Sequence, residues 1–122
     1  MTRAIRIVAG TVSARGTLGD DAAATAIWEA LPLEAKAETW GDEIYFDIGI
    51  TAVPEQPRAT VELGDLGYWP PGRAFCIFFG PTPMSQGDEI RPASPVGVVG
   101  RVENPKAFTT VRAGTPVRIE RA

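Results

Sequence analysis

A carboxylate and a phenol lie two residues apart in a stretch whose side chains alternate between polar and apolar. In Asp42–Ile50, Ile44 and Phe46 fall on one face of an extended strand, and Glu43 and Tyr45 fall on the other. If this polar face borders a groove, Glu43 and Tyr45 offer a hydrogen-bond acceptor and a donor to one ligand. The alternative is an ordinary solvated strand face. The spacing leaves both interpretations open.

Two aromatic residues stand directly before a stiff proline pair. Tyr68 and Trp69 precede Pro70 and Pro71, and we interpret this segment as a loop between two strands. Large rings held in a rigid loop can stack on a planar or proline-like ligand. The alternative is that one or both rings plug the end of a core. Trp40, in contrast, is predicted to be a core residue.

Arg73 and Met84 complete the set of candidate binding residues. Arg73 follows the proline pair, and its guanidinium could bind a ligand carboxylate. The alternative for Arg73 is a salt bridge with Asp65 or Glu62. Met84 lies in a Pro-rich segment and could line the same groove as the aromatic residues. The predicted ligand-binding set is therefore Glu43, Tyr45, Tyr68, Trp69, Arg73 and Met84.

The composition argues against several kinds of catalytic and metal site. The sequence contains no histidine, which excludes Ser-His and Cys-His nucleophile pairs and histidine metal ligands. Cys76, the only cysteine, lies in an apolar stretch and is predicted to be a buried structural thiol. The acidic pairs Asp20–Asp21 and Asp88–Glu89 lack the ligand spacing of a calcium site. We therefore expect no metal and no cofactor, and no catalytic residue can be assigned.

Length and charge narrow the class of protein. The 122 residues are expected to form a single domain, 1–122, with one sizeable core. The net charge is -3 and the basic residues are scattered, which gives no electrostatic basis for binding nucleic acid. No apolar run reaches the roughly 20 residues of a membrane-spanning helix, and no signal-peptide pattern begins the sequence. We expect a cytoplasmic protein with neither a nucleic-acid nor a membrane partner.

The predicted secondary structure is mostly β, with one long helix. Short alternating or apolar stretches separated by Gly and Pro predict about seven or eight strands. A helix is predicted over about 20–31, with Asp20 as N-cap, and a short helical turn over about 105–109. Phe75–Phe79 is apolar on both faces, which predicts a central strand covered on both sides. The pattern is typical of an antiparallel barrel or a sandwich. The predicted strands include 34–39, 42–50, 59–63, 75–79, 96–102 and 115–120. Val61 and Leu63 are predicted to point inward, and one core is predicted to contain Ile44, Phe46, Phe75, Ile77 and Phe79.

Several stretches of the sequence together carry a family resemblance. They are Thr39–Phe46, Val61–Ala74 with its Gly-Tyr-Trp-Pro-Pro-Gly run, and Phe78–Ser85 with Pro92–Ser94 and Val98–Val102. They resemble the small prokaryotic cyclophilin-like proteins of uncharacterised function, over about residues 20–103. The resemblance implies an all-β fold, a closed eight-stranded antiparallel β-barrel capped by one helix.

The resemblance does not extend to the isomerase motifs of true cyclophilins. Those enzymes isomerise Xaa-Pro bonds in a groove on the outer barrel wall, with a Phe-His-Arg motif whose Arg polarises the prolyl amide. Here Glu43–Phe46 occupies the comparable stretch, and no Phe-His-Arg exists. By the same hand alignment, Ala74 replaces a Gln and Met84 replaces a Trp. The resemblance therefore favours the fold over the activity.

Three alternative functions are consistent with these residues and with the resemblance. The first is a barrel that binds a small molecule or an extended, proline-containing peptide in an outer-wall groove. The second is a divergent peptidyl-prolyl cis-trans isomerase. The third is an interaction or oligomerisation subunit, with the aromatic segment as a homodimer patch.

Overall fold

The computed structural model describes residues 3–122, in which nine strands form one antiparallel sheet. The described residues also form one helix, α1 (Ala22–Ala30), and 3-10 turns at Pro70–Gly72 and Pro105–Thr110. The second turn agrees with the helical turn predicted over about 105–109. The strands are β1 (Arg3–Ala9), β2 (Val12–Leu18), β3 (Leu33–Lys36), β4 (Glu38–Thr39), β5 (Glu43–Asp47), β6 (Asp65–Trp69), β7 (Ala74–Phe78), β8 (Gly97–Val102) and β9 (Pro116–Arg121).

The sheet curls into a nearly closed barrel. Its strand order is β3-β9-β1-β2-β8-β6-β7-β5-β4. The two end strands, β3 and β4, follow each other in the chain with only Ala37 between them, so this segment joins both ends of the sheet. Ala37 donates its N–H to the carbonyl of Thr115 at 2.8 Å, which holds the junction. The predicted single strand 34–39 is therefore divided in two, and the sheet has nine strands where the sequence pattern predicted about seven or eight.

The inward side chains of the strands fill the barrel. The five residues predicted to share one core, Ile44, Phe46, Phe75, Ile77 and Phe79, all lie in this cluster and are at most 4% exposed. Phe46 stacks on Phe75 with ring centroids 5.6 Å apart. Three buried residues of α1 belong to the same cluster, so the helix packs on the barrel core.

A second, smaller cluster covers the outer face of β7. Cys76 and Phe78 pack there against Val61, Ile90 and Val96, which come from long connecting segments. Every residue of β7 is therefore buried, and the prediction of a central strand covered on both sides is confirmed. Cys76 is a buried free thiol, also as predicted.

Two predicted elements differ from the observed ones. The side chain that caps α1 is Asp21, not Asp20: its carboxylate accepts the N–H of Ala24 at 2.8 Å. The predicted strand 59–63 is reduced to an isolated bridge between Val61 and Ile90, because no neighbouring strand runs alongside it. Leu63, predicted to point inward, is 43% exposed.

The segment 65–69, interpreted as a loop, is the central strand β6. It pairs with β7 on one side and with β8 on the other, with a register shift between Leu66 and Gly67. Gly67 leaves room for a neighbouring ring here, because a Cβ would lie 3.0 Å from the ring of Phe78. Glycine therefore marks a close approach of a ring to the sheet, rather than the end of a strand.

Within residues 3–122, no helix is long and apolar enough to cross a membrane.

Candidate functional site

A pocket of about 250 Å³ opens on the outer wall of the barrel, beside the outer cluster. Two strands of the wall, the turn before β5 and the long segment 80–96 contribute to it. The volume is at the small end of ligand pockets and suits one head group or side chain better than a large molecule. The lining residues are Trp40, Glu43, Tyr45, Trp69, Pro92 and Ala93.

A tight turn before β5 places Trp40 and Glu43 at one end of the pocket. The N–H of Trp40 bonds to the carbonyl of Glu43 at 3.0 Å, and Gly41 has a φ of +61°. The turn is fixed to the end of β7, because Asp42 accepts the N–H of Phe79 at 3.0 Å. The Asp42 side chain fills the space where Gly80 would carry a Cβ.

Tyr45 and Trp69 form a corner of the pocket. Their ring centroids are 6.5 Å apart and the ring planes meet at 73°. The indole Nε1 of Trp69 donates to Oγ of Ser94 at 2.7 Å. The same ring lies against Gly72, where a Cβ would come within 2.8 Å of it. Trp69 is therefore held in one orientation before any ligand binds, which lowers the ordering cost of binding.

Glu43 supplies the only ionisable carboxyl of the lining. Glu43 is only 5% exposed, although its side chain lies on the outer face of β5. Burial raises the pKa of Glu43 to about 7, and a hydrogen bond with the Cys76 thiol acts in the opposite direction. Burial and the neighbouring Glu43 raise the pKa of Cys76 well above its usual value.

The site can serve a ligand in two protonation states. Near pH 7 the Glu43 carboxyl is divided between its neutral form, which donates a hydrogen bond, and its ionised form, which only accepts. The lining contains no lysine or arginine. Among residues 3–122, no group of three or more Cys, Asp or Glu side chains could hold a metal ion.

Three of the six predicted binding residues meet in this pocket: Glu43, Tyr45 and Trp69. Tyr68 lies on the opposite face of β6, inside the barrel, and is 1% exposed. Its hydroxyl donates to the carbonyl of Ile50 at 2.5 Å and accepts the N–H of Ala52 at 3.2 Å. The alternative in which Tyr68 fills the core is therefore the one observed.

Arg73 and Met84 do not line the pocket. Arg73 occupies a left-handed position with φ 46° at the end of the 3-10 turn, and its guanidinium reaches Asp47 at 3.4 Å. The predicted alternative, a salt bridge from Arg73 to Asp65 or Glu62, is not the one observed: Arg73 pairs with Asp47, and Asp65 pairs with Arg101 at 2.7 Å. Met84 is 50% exposed in the segment between β7 and β8.

Three lining residues were missed by sequence reasoning. Trp40 was assigned to the core, but it is only half-buried and lines the pocket. Pro92 and Ala93 lie in a segment without regular structure, where alternation gives no information. Their presence in the stretch that carries the family resemblance, Pro92–Ser94, was the available signal.

Comparisons with known proteins agree with this architecture. A family model described as cyclophilin-like matches residues 3–120. The solution structure of a hypothetical protein from Archaeoglobus fulgidus is similar, with 40% sequence identity and a TM-score of 0.82. The match covers 99% of this chain and 95% of that one. No curated protein matches the chain.

Proposed function

The chain belongs to the cyclophilin-like family, and we propose that it is a binding protein that holds a small molecule or one side chain of an extended peptide in its outer-wall pocket. One observation carries the proposal. The pocket combines a buried carboxyl, Glu43, with two rings that are fixed at 73° to each other. Barrel stability alone does not require a carboxyl there, because an uncharged residue would fill the same position at a lower desolvation cost.

The exposed surface favours the ligand-binding function over the function in which the aromatic segment forms a homodimer patch. The large apolar residues exposed in 3–122 are Val53, Leu63 and Met84, and none of them is an aromatic residue of the Tyr68–Trp69 segment. Single exposed apolar residues are normal on monomers. The aromatic segment therefore offers little surface to a second copy. We also propose a cytoplasmic location, in which a lone free thiol such as Cys76 stays reduced.

Tryptophan fluorescence tests the proposal directly. Two of the three tryptophans, Trp40 and Trp69, line the pocket, and the third, Trp28, lies on α1. In a Trp28→Phe variant, all remaining indole emission comes from the pocket. We expect members of a library of small fragments and short proline-containing peptides to change this emission saturably.

Variants then decide where the hits bind. Tyr45→Ala in the same background removes one wall of the pocket and is expected to weaken each hit at least tenfold. Val53→Ala, at a residue that is 80% exposed and outside the lining, is the control and should leave the affinities unchanged. If every hit keeps its affinity in Tyr45→Ala, the pocket is not the binding site, and the interaction-subunit function is then favoured.

A further inference from the structure

The chemistry of the lining points to one class of ligand. Trp40, Tyr45 and Trp69 give three aromatic walls, and the Glu43 carboxyl is the only charged group among the lining residues. We propose that the ligand carries an alkylammonium group, which lies among these rings with its charge against the Glu43 carboxylate. This inference rests on the proposed function, and it names the group that the pocket selects.

Among residues 3–122, the two buried carboxylates, Asp65 and Glu43, differ in their partners. Asp65 is 4% exposed and Glu43 is 5% exposed. Asp65 accepts from the Arg101 guanidinium at 2.7 Å and from the N–H of Glu62 at 2.8 Å. Glu43 differs: among the described residues it forms no salt bridge, and the Cys76 thiol, but no cation, influences its pKa.

A cation that pairs with the ionised Glu43 carboxylate must therefore come from outside the chain. A buried carboxylate without a cation is unfavourable, and a bound cation offsets much of that cost. Unlike Asp65, Glu43 lines an open pocket, so a ligand can reach it. The carboxyl thus occupies the position that a cationic ligand would neutralise.

The aromatic walls favour an organic cation over a metal ion. Ammonium groups are attracted to the faces of Trp and Tyr rings, and the attraction is larger where water is excluded. Metal ions would need several oxygen or sulfur ligands, and among the lining side chains only Glu43 and Tyr45 carry an oxygen. A pocket of about 250 Å³ accommodates an ammonium head with a short alkyl chain.

The inference predicts a definite pH dependence. The titratable groups on the strands next to Glu43 are the Tyr45 phenol on β5, the Cys76 thiol on β7 and Glu38 on β4, which pairs with Tyr45. Glu38 is exposed and does not influence the pKa of Glu43, and Pro92 and Ala93 from the facing segment do not titrate. With a pKa of about 7, the ionised fraction of Glu43 rises about tenfold between pH 6 and pH 8. An alkylammonium ion stays charged over this range, so its affinity should rise by the same factor.

Butylamine and butan-1-ol, a cation and a neutral molecule of equal chain length, form the matched probe pair. We expect butylamine to change the emission of the Trp28→Phe protein, with an affinity about tenfold higher at pH 8 than at pH 6. Glu43→Gln, which keeps the shape and removes the charge, should lose butylamine binding and keep any response to butan-1-ol. In ¹³C NMR of the unsubstituted protein, bound butylamine should lower the pKa of Glu43.

The outcomes separate this inference from the proposed function. Equal affinities for the two probes at pH 8, or unchanged butylamine affinity in Glu43→Gln, overturn the ammonium inference while the pocket stands as a binding site. Absence of any butylamine response also overturns it, and the fragment library then decides the proposed function separately. Binding of a neutral fragment that weakens as pH rises would identify a ligand that accepts from protonated Glu43. Comparing blocked lysine with blocked norleucine distinguishes a peptide side chain from a free amine.

Discussion

At the scale of single residues, the buried carboxyl of Glu43 is expected to lower the free energy of unfolding of the unliganded protein at neutral pH. Burial raises its pKa from 4.5 to about 7, so the ionised form is disfavoured in the folded state. The unfolded chain then binds fewer protons than the folded protein between these two pH values. The free energy of unfolding should therefore fall as pH rises from about 4.5 to about 7, by on the order of 3 kcal/mol, and then level off.

Urea denaturation of the natural sequence and of Glu43→Gln between pH 4.5 and pH 8 measures this effect. Glutamine has no charge to bury, so the difference in stability between the two proteins should shift in favour of Glu43→Gln over this range. The other carboxyl groups cancel in the difference. Parallel pH profiles for the two proteins would show that Glu43 is not desolvated, and would remove the electrostatic basis of the ammonium inference.

The residue scale also explains which candidate residues could be identified from sequence. Alternation within Glu43–Asp47 correctly separated Glu43 and Tyr45 from Ile44 and Phe46. The same rule, applied to a strand at 65–69, would have placed Tyr68 and Trp69 on opposite faces. Their treatment as loop residues hid this distinction, and both were assigned to one groove.

At the scale of elements, β7 is the strand on which both the barrel core and the outer wall depend. Phe75 and Ile77 face the barrel, whereas Cys76 and Phe78 face the outer cluster. Phe46→Ala in the barrel core and Phe78→Ala in the outer cluster should each destabilise the protein by about 3–5 kcal/mol, because both side chains are buried. Chemical denaturation of the two variants measures this directly.

Amide exchange distinguishes the two effects. Phe78→Ala should also speed exchange at Val61 and Val96, whose N–H groups hold the connecting segments through bonds to Ile90 and Arg58. Phe46→Ala should leave their local opening unchanged once the difference in global stability is subtracted. A loss below about 1 kcal/mol for Phe78→Ala would mean that the outer cluster is loosely packed.

Sequence patterns predicted elements well where they follow one periodicity. α1 and β5 each have a clear pattern of apolar positions or a cap, and β7 is a continuous apolar run. β6 was missed because Asp65 and Gly67 are poor strand residues in isolation. In the folded protein, pairing with both β7 and β8 and the ring of Phe78 over Gly67 outweigh that preference.

At the scale of the whole molecule, periodicity alone could not distinguish a barrel from a sandwich. The distinction depends on the junction at Ala37, where one segment pairs with β9 on one side and with β5 on the other. This is a long-range property that no local pattern encodes, and it was supplied by the family resemblance. The same limit applies to Pro92 and Ala93, which reach the pocket through the long segment after β7.

The last prediction concerns the activity that the barrel shape suggests. Prolyl isomerisation in cyclophilins uses an arginine that donates to the prolyl amide, whereas this outer-wall pocket presents a carboxyl and no basic side chain. Ionised Glu43 cannot donate to that amide, and neither the ionised nor the neutral form supplies the positive charge of a guanidinium. We therefore expect no appreciable isomerase activity in a protease-coupled assay with an Xaa-Pro peptide. A rate that rises in proportion to protein concentration, falls in Tyr45→Ala and persists in the surface control Val53→Ala would contradict this expectation. Such a result would mean that the barrel catalyses isomerisation through groups other than a positioned guanidinium.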